Sequence, residues 1–186
     1  MSDSKTFTLN FGEAIAFVAP GFLAFNAISY FSATAHNWLA VAASKDGTVG
    51  LFLFVLLGSA ALGIAVSGIR AWAIDRLLQK AWGIGPPQIK WGQVDDRKRE
   101  NLNLMIQGFY RYYQFYSNSL VALLILMVAR LSVGLTPDWS VWIWGGVVLT
   151  GLAIVYVLFW SAKDSYSNYV KAVNNLFSGA SQKEEP

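Results

Sequence analysis

The chain has 186 residues, of which 55% are hydrophobic and 13% charged, with a net charge of +3. So few ionic groups do not coat a soluble domain of this length, and lipid is the expected solvent. Cysteine is absent, which excludes disulfides, thiolate metal sites and cysteine nucleophiles.

Residues 14–44, 47–69, 112–129 and 139–162 contain no Asp, Glu, Lys or Arg, and roughly 20 apolar residues suffice to cross a bilayer as helix. The pattern predicts an all-α integral membrane protein with four transmembrane helices and amphipathic helical extensions on the cytoplasmic side. It divides the chain into a first transmembrane hairpin (1–69), a cytoplasmic helical connection (70–111) and a second hairpin (112–162). An amphipathic helix and a disordered tail (163–186) complete it.

In the first span, Ala33-Thr34-Ala35 has the form of a signal cleavage site. The leading segment lacks a positive n-region, and its apolar run is longer than a usual h-region, so a permanent span is expected. Asn10 to Glu13 has capping-box spacing. Pro20-Gly21 predicts a kink that serves packing or a gate. Asn26 and Ser29 are expected to face other helices or a water path rather than lipid, and His36 an external loop.

In the second span Ser59, Gly63 and Ser67 recur every four residues, a stripe of small side chains on which another helix can pack closely. The same helix is expected to run on to Trp82, with Ile74, Leu77, Leu78 and Ala81 on one side and Asp75, Arg76, Gln79 and Lys80 on the other. Residues 83–87, which include Gly83 and Pro87, stop it. Asp95 and Asp96 favour a new helix start, and Leu102, Met105, Ile106 and Phe109 form a stripe leading into the third span.

That third span carries Gln114, Ser117, Asn118 and Ser119 in its first half and Arg130 at its end. It crosses if Arg130 snorkels and residues 112–116 form an aromatic belt; the alternative is a re-entrant element. Trp139, Trp142 and Trp144 read as an interfacial belt before the fourth span. After it, Tyr166, Tyr169, Val170, Val173 and Phe177 repeat the amphipathic pattern. Three short stripes make a thin core for one chain, which favours a homo-oligomer.

Arg70, Arg76, Lys80, Lys90, Arg97, Lys98, Arg99 and Arg111 all fall in the second connection. Short cytoplasmic loops accumulate such residues, so this connection and both termini are expected in the cytoplasm.

For chemistry, there is no phosphate-binding glycine loop, no glycine-flanked nucleophilic serine and no ligand cluster around the single histidine. A non-enzyme without metal or cofactor is expected. A lipid enzyme would need Glu13, Lys163 and Asp164 to meet at one interface, which no motif indicates. Arg97, Lys98, Arg99 and Arg111 can hold phosphate, and Tyr112, Tyr113 or Tyr116 can stack a base. Positive-inside topology also explains the basic loop with no ligand, and the spacing of Asp95 and Arg99 fits an ion pair within a helix.

The four-span layout, with the basic aromatic segment from Arg97 to Tyr116, resembles small membrane effectors of bacterial anti-phage defence, of the Hailong type. The resemblance implies an oligomeric protein of the bacterial inner membrane, restrained or triggered by a nucleotide-derived or nucleic-acid ligand. Its activation would then perturb the membrane or conduct ions. Asn26, Ser29, Ser59, Gly63 and Ser67 would be its helix-packing or pore residues. The competing expectation is a non-catalytic accessory or scaffold subunit of a membrane complex.

Overall fold

The computed structural model describes residues 11–44, 47–133 and 141–178, which form helices and loops without strands. Asn10, Lys45, Trp139 and the tail 179–186 lie outside the described residues, as do the side chains of Glu13 and Trp142. The helices are α1 (Phe11–Ser29), α2 (Ala33–Ala42), α3 (Val49–Trp82), α4 (Asp96–Met105), α5 (Arg111–Ser132) and α6 (Val141–Ser178). A π-helical turn, Ile106–Tyr110, joins α4 to α5.

Three stretches, Val49–Trp82, Asp96–Ser132 and Trp144–Ser178, are long and apolar enough to cross a membrane. At 1.5 Å per residue α3 extends about 50 Å, well past roughly 30 Å of hydrocarbon. The third hydrophobic segment thus belongs to one continuous helix, Asp96–Ser132, rather than to a re-entrant loop.

The first hydrophobic segment departs from the single kinked span expected, because it is two helices. Ser32 adopts extended backbone and its hydroxyl accepts the Ala35 amide, starting α2. The polar groups before the break turn onto their own helix: Asn26 donates to the Phe22 carbonyl at 2.9 Å, and Ser29 to the Asn26 carbonyl at 2.7 Å. Each of these side chains thus has a partner on its own helix. His36 accordingly sits exposed on α2 rather than in a loop. The short α2 packs back on α3, with Trp38 edge-on to Phe54 at 4.7 Å.

The spatial order is α3, α1, α5, α6. Phe17 of α1 meets Gly63 of α3, Gly21 meets Ser59, and Phe25 meets Gly58, so these two helices run antiparallel. Ser59 and Gly63 of the small-residue stripe therefore find a partner within the chain, and Gly21 sits at this crossing. Asn118 of α5 donates to the Ala16 carbonyl at 3.2 Å. Further along, Ala27 and Ile28 line one groove with Leu124 and Val128, which makes α1 parallel to α5. Met127 against Gly151 and Tyr113 against Tyr166 set α6 antiparallel to α5.

At the basic end, Ile74, Leu78, Leu102, Tyr113, Tyr166, Tyr169, Val173 and Phe177 form one buried cluster. Much of the three amphipathic stripes is thus covered inside a single chain, while Leu77 and Phe109 stay exposed. The π-helical turn shifts the α4 stripe by adding a residue to the turn. As a result Phe109 faces outward, while Tyr110 packs on Tyr169 at 5.0 Å.

Helix ends follow local chemistry. Gly83, at φ 64, ends α3 in the left-handed region, with its N–H on the Leu78 carbonyl. The Asp95 carboxylate accepts the Lys98 amide at 2.6 Å and starts α4. The cap takes this carboxylate; the ion pair within 4 Å among the described residues is Arg70 with Asp75. Asp95→Ala should cost about 1 kcal/mol. Hydrogen exchange at the Lys98 amide checks it, and unchanged protection there would mean that the cap is idle.

Candidate functional site

Two features at the basic end bring chemistry-bearing side chains together. The first is buried. In α3 the buried residues Val55, Ser59, Gly63, Val66, Arg70, Ile74 and Leu78 share one face, which places Arg70 on the inward side at 4% exposure. Its guanidinium lies 3.9 Å from the Asp75 carboxylate and 5.1 Å from the centre of the Tyr113 ring. The Tyr113 hydroxyl donates to the same carboxylate. Ser117, one turn along α5, donates to the Tyr113 carbonyl.

This network ties α3 to α5, with an ion pair, a charge-assisted hydrogen bond and a cation over a ring face acting on one set of groups. It is not fully satisfied. Arg70 Nε and Nη1, Ser59 Oγ and Asn118 Oδ1 are buried without a hydrogen-bond partner. Buried unpaired donors and acceptors each cost about 1–3 kcal/mol, which is typical of places where proteins trade stability for another property. Around it, Tyr113 contacts Tyr166 at 4.8 Å and Tyr110 at 5.8 Å.

The second feature is the basic aromatic strip on α4 and α5. Arg97 and Arg99 are exposed, Lys98 is half-buried with its ammonium 5.9 Å over the Phe177 ring, and Arg111 is half-buried. Tyr112 is exposed and stacks on Tyr116 with centroids 6.4 Å apart and planes at 23°. Arg97 and Tyr112 sit on one continuous helix, about 22 Å apart along its axis. A mononucleotide does not reach both ends, whereas an extended polyanion does.

One of the residues expected at this surface is elsewhere. Tyr113 is fully buried against Tyr166 and Arg70, so its ring has no free face for a base. Arg70 is equally unavailable to a ligand from solution. Sequence reasoning missed the Arg70, Asp75 and Tyr113 network, although a signal existed: Arg70 lies seven residues after Gly63 and four before Ile74, which puts it on the helix face of Gly63, Ile74 and Leu78.

Of the helix-packing set, Ser59 and Gly63 lie at the α1 crossing, while Ser67 is only half-buried beside that face. Lys163 lies 4.2 Å over Trp160 and 5.2 Å over Trp82. Asp164 accepts from Asn168 at 3.2 Å, so both are engaged on and around α6. Trp144, expected in an interfacial belt, is instead buried beneath the Arg130 guanidinium at 5.2 Å. Among the described residues no group of three or more acidic, histidine or cysteine side chains is placed to hold a metal ion.

Fold and site define an all-helical protein with three helices long and apolar enough to cross a membrane and, towards one end of them, an ion pair of buried Arg70 with half-buried Asp75. Compared with known proteins, the chain matches no family model, no curated protein and no solved structure.

Proposed function

We propose that the chain is the subunit of an oligomeric effector of the bacterial inner membrane, which perturbs the membrane or conducts ions. A nucleotide-derived or nucleic-acid ligand on the basic aromatic strip controls it, as in the anti-phage effectors it resembles. In this reading α1 is a fourth crossing and both termini are cytoplasmic. About 28 Å long, α1 lies beside the charge-free part of α5, from Ala16 at Asn118 to Ile28 at Val128.

One observation carries the proposal: the helix that bears the candidate ligand residues continues without interruption into the apolar span, Asp96–Ser132, and is locked to α3 at the junction by Asp75 and Tyr113. A ligand that moves the strip therefore biases the packing of the spans, since rigid helices in a packed network shift as units.

Ion flux from liposomes holding the purified protein, measured with and without short oligonucleotides, tests it. Flux that responds to the oligonucleotide is expected, and none in either condition would refute the proposal. Replacing Arg97, Lys98 and Arg99 together by Gln should weaken oligonucleotide binding and flatten its salt dependence by about two log units per log unit of salt. Unchanged affinity would remove these three residues from the site. For orientation, Gly92→Cys in this cysteine-free chain should react with thiol reagents only from the cytoplasmic side.

A scaffold subunit is the second reading, favoured by the exposed Trp91, Leu104 and Phe109 outside the charge-free segments. Large apolar side chains in water suit a protein partner. Expression alone separates the two, because an unrestrained effector collapses the membrane potential and a scaffold leaves it intact.

A further inference from the structure

A groove of about 650 Å³ opens between α5 and α6 at the end of the bundle away from the basic cluster. Leu123, Met127, Val147 and Ile154 make its walls, Gly146 leaves open space on the α6 side, and the Met127 side chain packs onto Gly151. It follows α6 for about 15 Å, from Trp144 to Ile154. Both walls belong to helices apolar enough to cross a membrane, so hydrocarbon is the medium the groove meets.

The groove is not apolar throughout. The Arg130 guanidinium stands at its end, 5.2 Å over the Trp144 ring and 5.6 Å over the Tyr30 ring. Those ring faces attract the cation but accept none of its in-plane N–H groups. Among the described residues no carboxylate lies within 4 Å of it. An arginine at the end of a membrane helix reaches for the headgroup layer, and its planar fork matches a phosphate with two parallel hydrogen bonds.

We propose that this groove is a binding site for one anionic phospholipid, with an acyl chain lying along Met127 and Val147 and the phosphate held by Arg130. The site needs only that α5 and α6 lie in a bilayer, so it stands apart from the ligand proposed for the basic strip. It would fix the α5 and α6 pair, which along this stretch otherwise meets through apolar contacts such as Met127 on Gly151 and through Arg130 over Trp144.

Native mass spectrometry of the full-length protein, with phosphatidylglycerol and phosphatidylcholine of identical chains in equal amounts, tests it. One phosphatidylglycerol per chain should be retained about tenfold better than phosphatidylcholine, the ratio expected for one charge-assisted contact. Arg130→Gln should erase the preference, and Arg130→Lys should keep part of it. Gly146→Phe fills the groove from a position with nothing within 4 Å of its Cβ, and should lower retention of both lipids while leaving their ratio unchanged. Equal retention by the unaltered protein, or a preference that survives Arg130→Gln, would overturn the proposal.

Discussion

Alanine at Gly21 or at Gly63 will unseat α1 from α3. A Cβ at Gly21 falls 1.7 Å from the Ser59 carbonyl oxygen, and one at Gly63 falls 2.0 Å from the Phe17 carbonyl oxygen. Both obstacles are backbone, so no rotamer change relieves them, and the helices must separate along their whole shared length. Overpacking of this kind costs about 3 kcal/mol. Because α1 also carries the Asn118 hydrogen bond through the Ala16 carbonyl, the shift extends to α5.

Denaturation of the purified protein in detergent reads the loss. Gly68→Ala, on the same helix with nothing within 4 Å of its Cβ, is the control, and should be neutral or slightly stabilising because alanine is the better helix former. The double variant at Gly21 and Gly63 should lose little more than either single variant, since both force the same separation. Single variants as stable as the unaltered protein would show that this close crossing does not hold the fold.

Asp75→Ala should be the most damaging change at a charged position. It removes the carboxylate shared by Arg70 and Tyr113 and leaves a guanidinium at 4% exposure, with Nε and Nη1 already lacking partners, uncompensated in the core. Breaking one side of a buried pair in this way costs about 3 kcal/mol or more. Tyr113→Phe removes a single hydroxyl and should cost about half as much, because the pair survives.

The contrast with an apolar replacement is sharper. Arg70→Met, Asp75→Leu and Tyr113→Phe made together remove every buried charge along with its desolvation cost, and should restore most of the lost stability. If the network couples the basic strip to the spans, that stable triple variant loses its flux response to oligonucleotide while still binding it. A triple variant that still responds would show the ion pair to be a packing element only.

Much of the architecture was legible in the residues. The end of α3 at Trp82 followed from Gly83, and the start of α4 from Asp95, because caps are satisfied within a few residues of chain. The inward placement of Tyr166, Tyr169, Val173 and Phe177 followed from helical period. The break between α1 and α2 was not legible. Residues 14–44 are uniformly uncharged, and hydropathy alone does not separate one long helix from two shorter ones; the Ser32 cap and the packing of Trp38 on Phe54 do.

The candidate site divides along the same line. Arg97, Lys98, Arg99 and Tyr112 were visible as a local cluster, yet their 22 Å separation, roughly, follows from one helix continuing through the π-helical turn. Tyr113 and Tyr112 are adjacent and alike in sequence, and one is buried while the other is exposed.

Composition and the spacing of charge by themselves determined that this chain is helical, suits lipid and gathers most of its cations at one end, since each of those properties depends on transfer free energies summed along the chain. The tertiary structure alone decided that Arg70 turns inward onto Asp75 and Tyr113, that the small-residue stripe meets α1, and that Arg130 closes an apolar groove. These depend on which helix faces come together, and contact between distant segments is a property of packing that no local pattern contains.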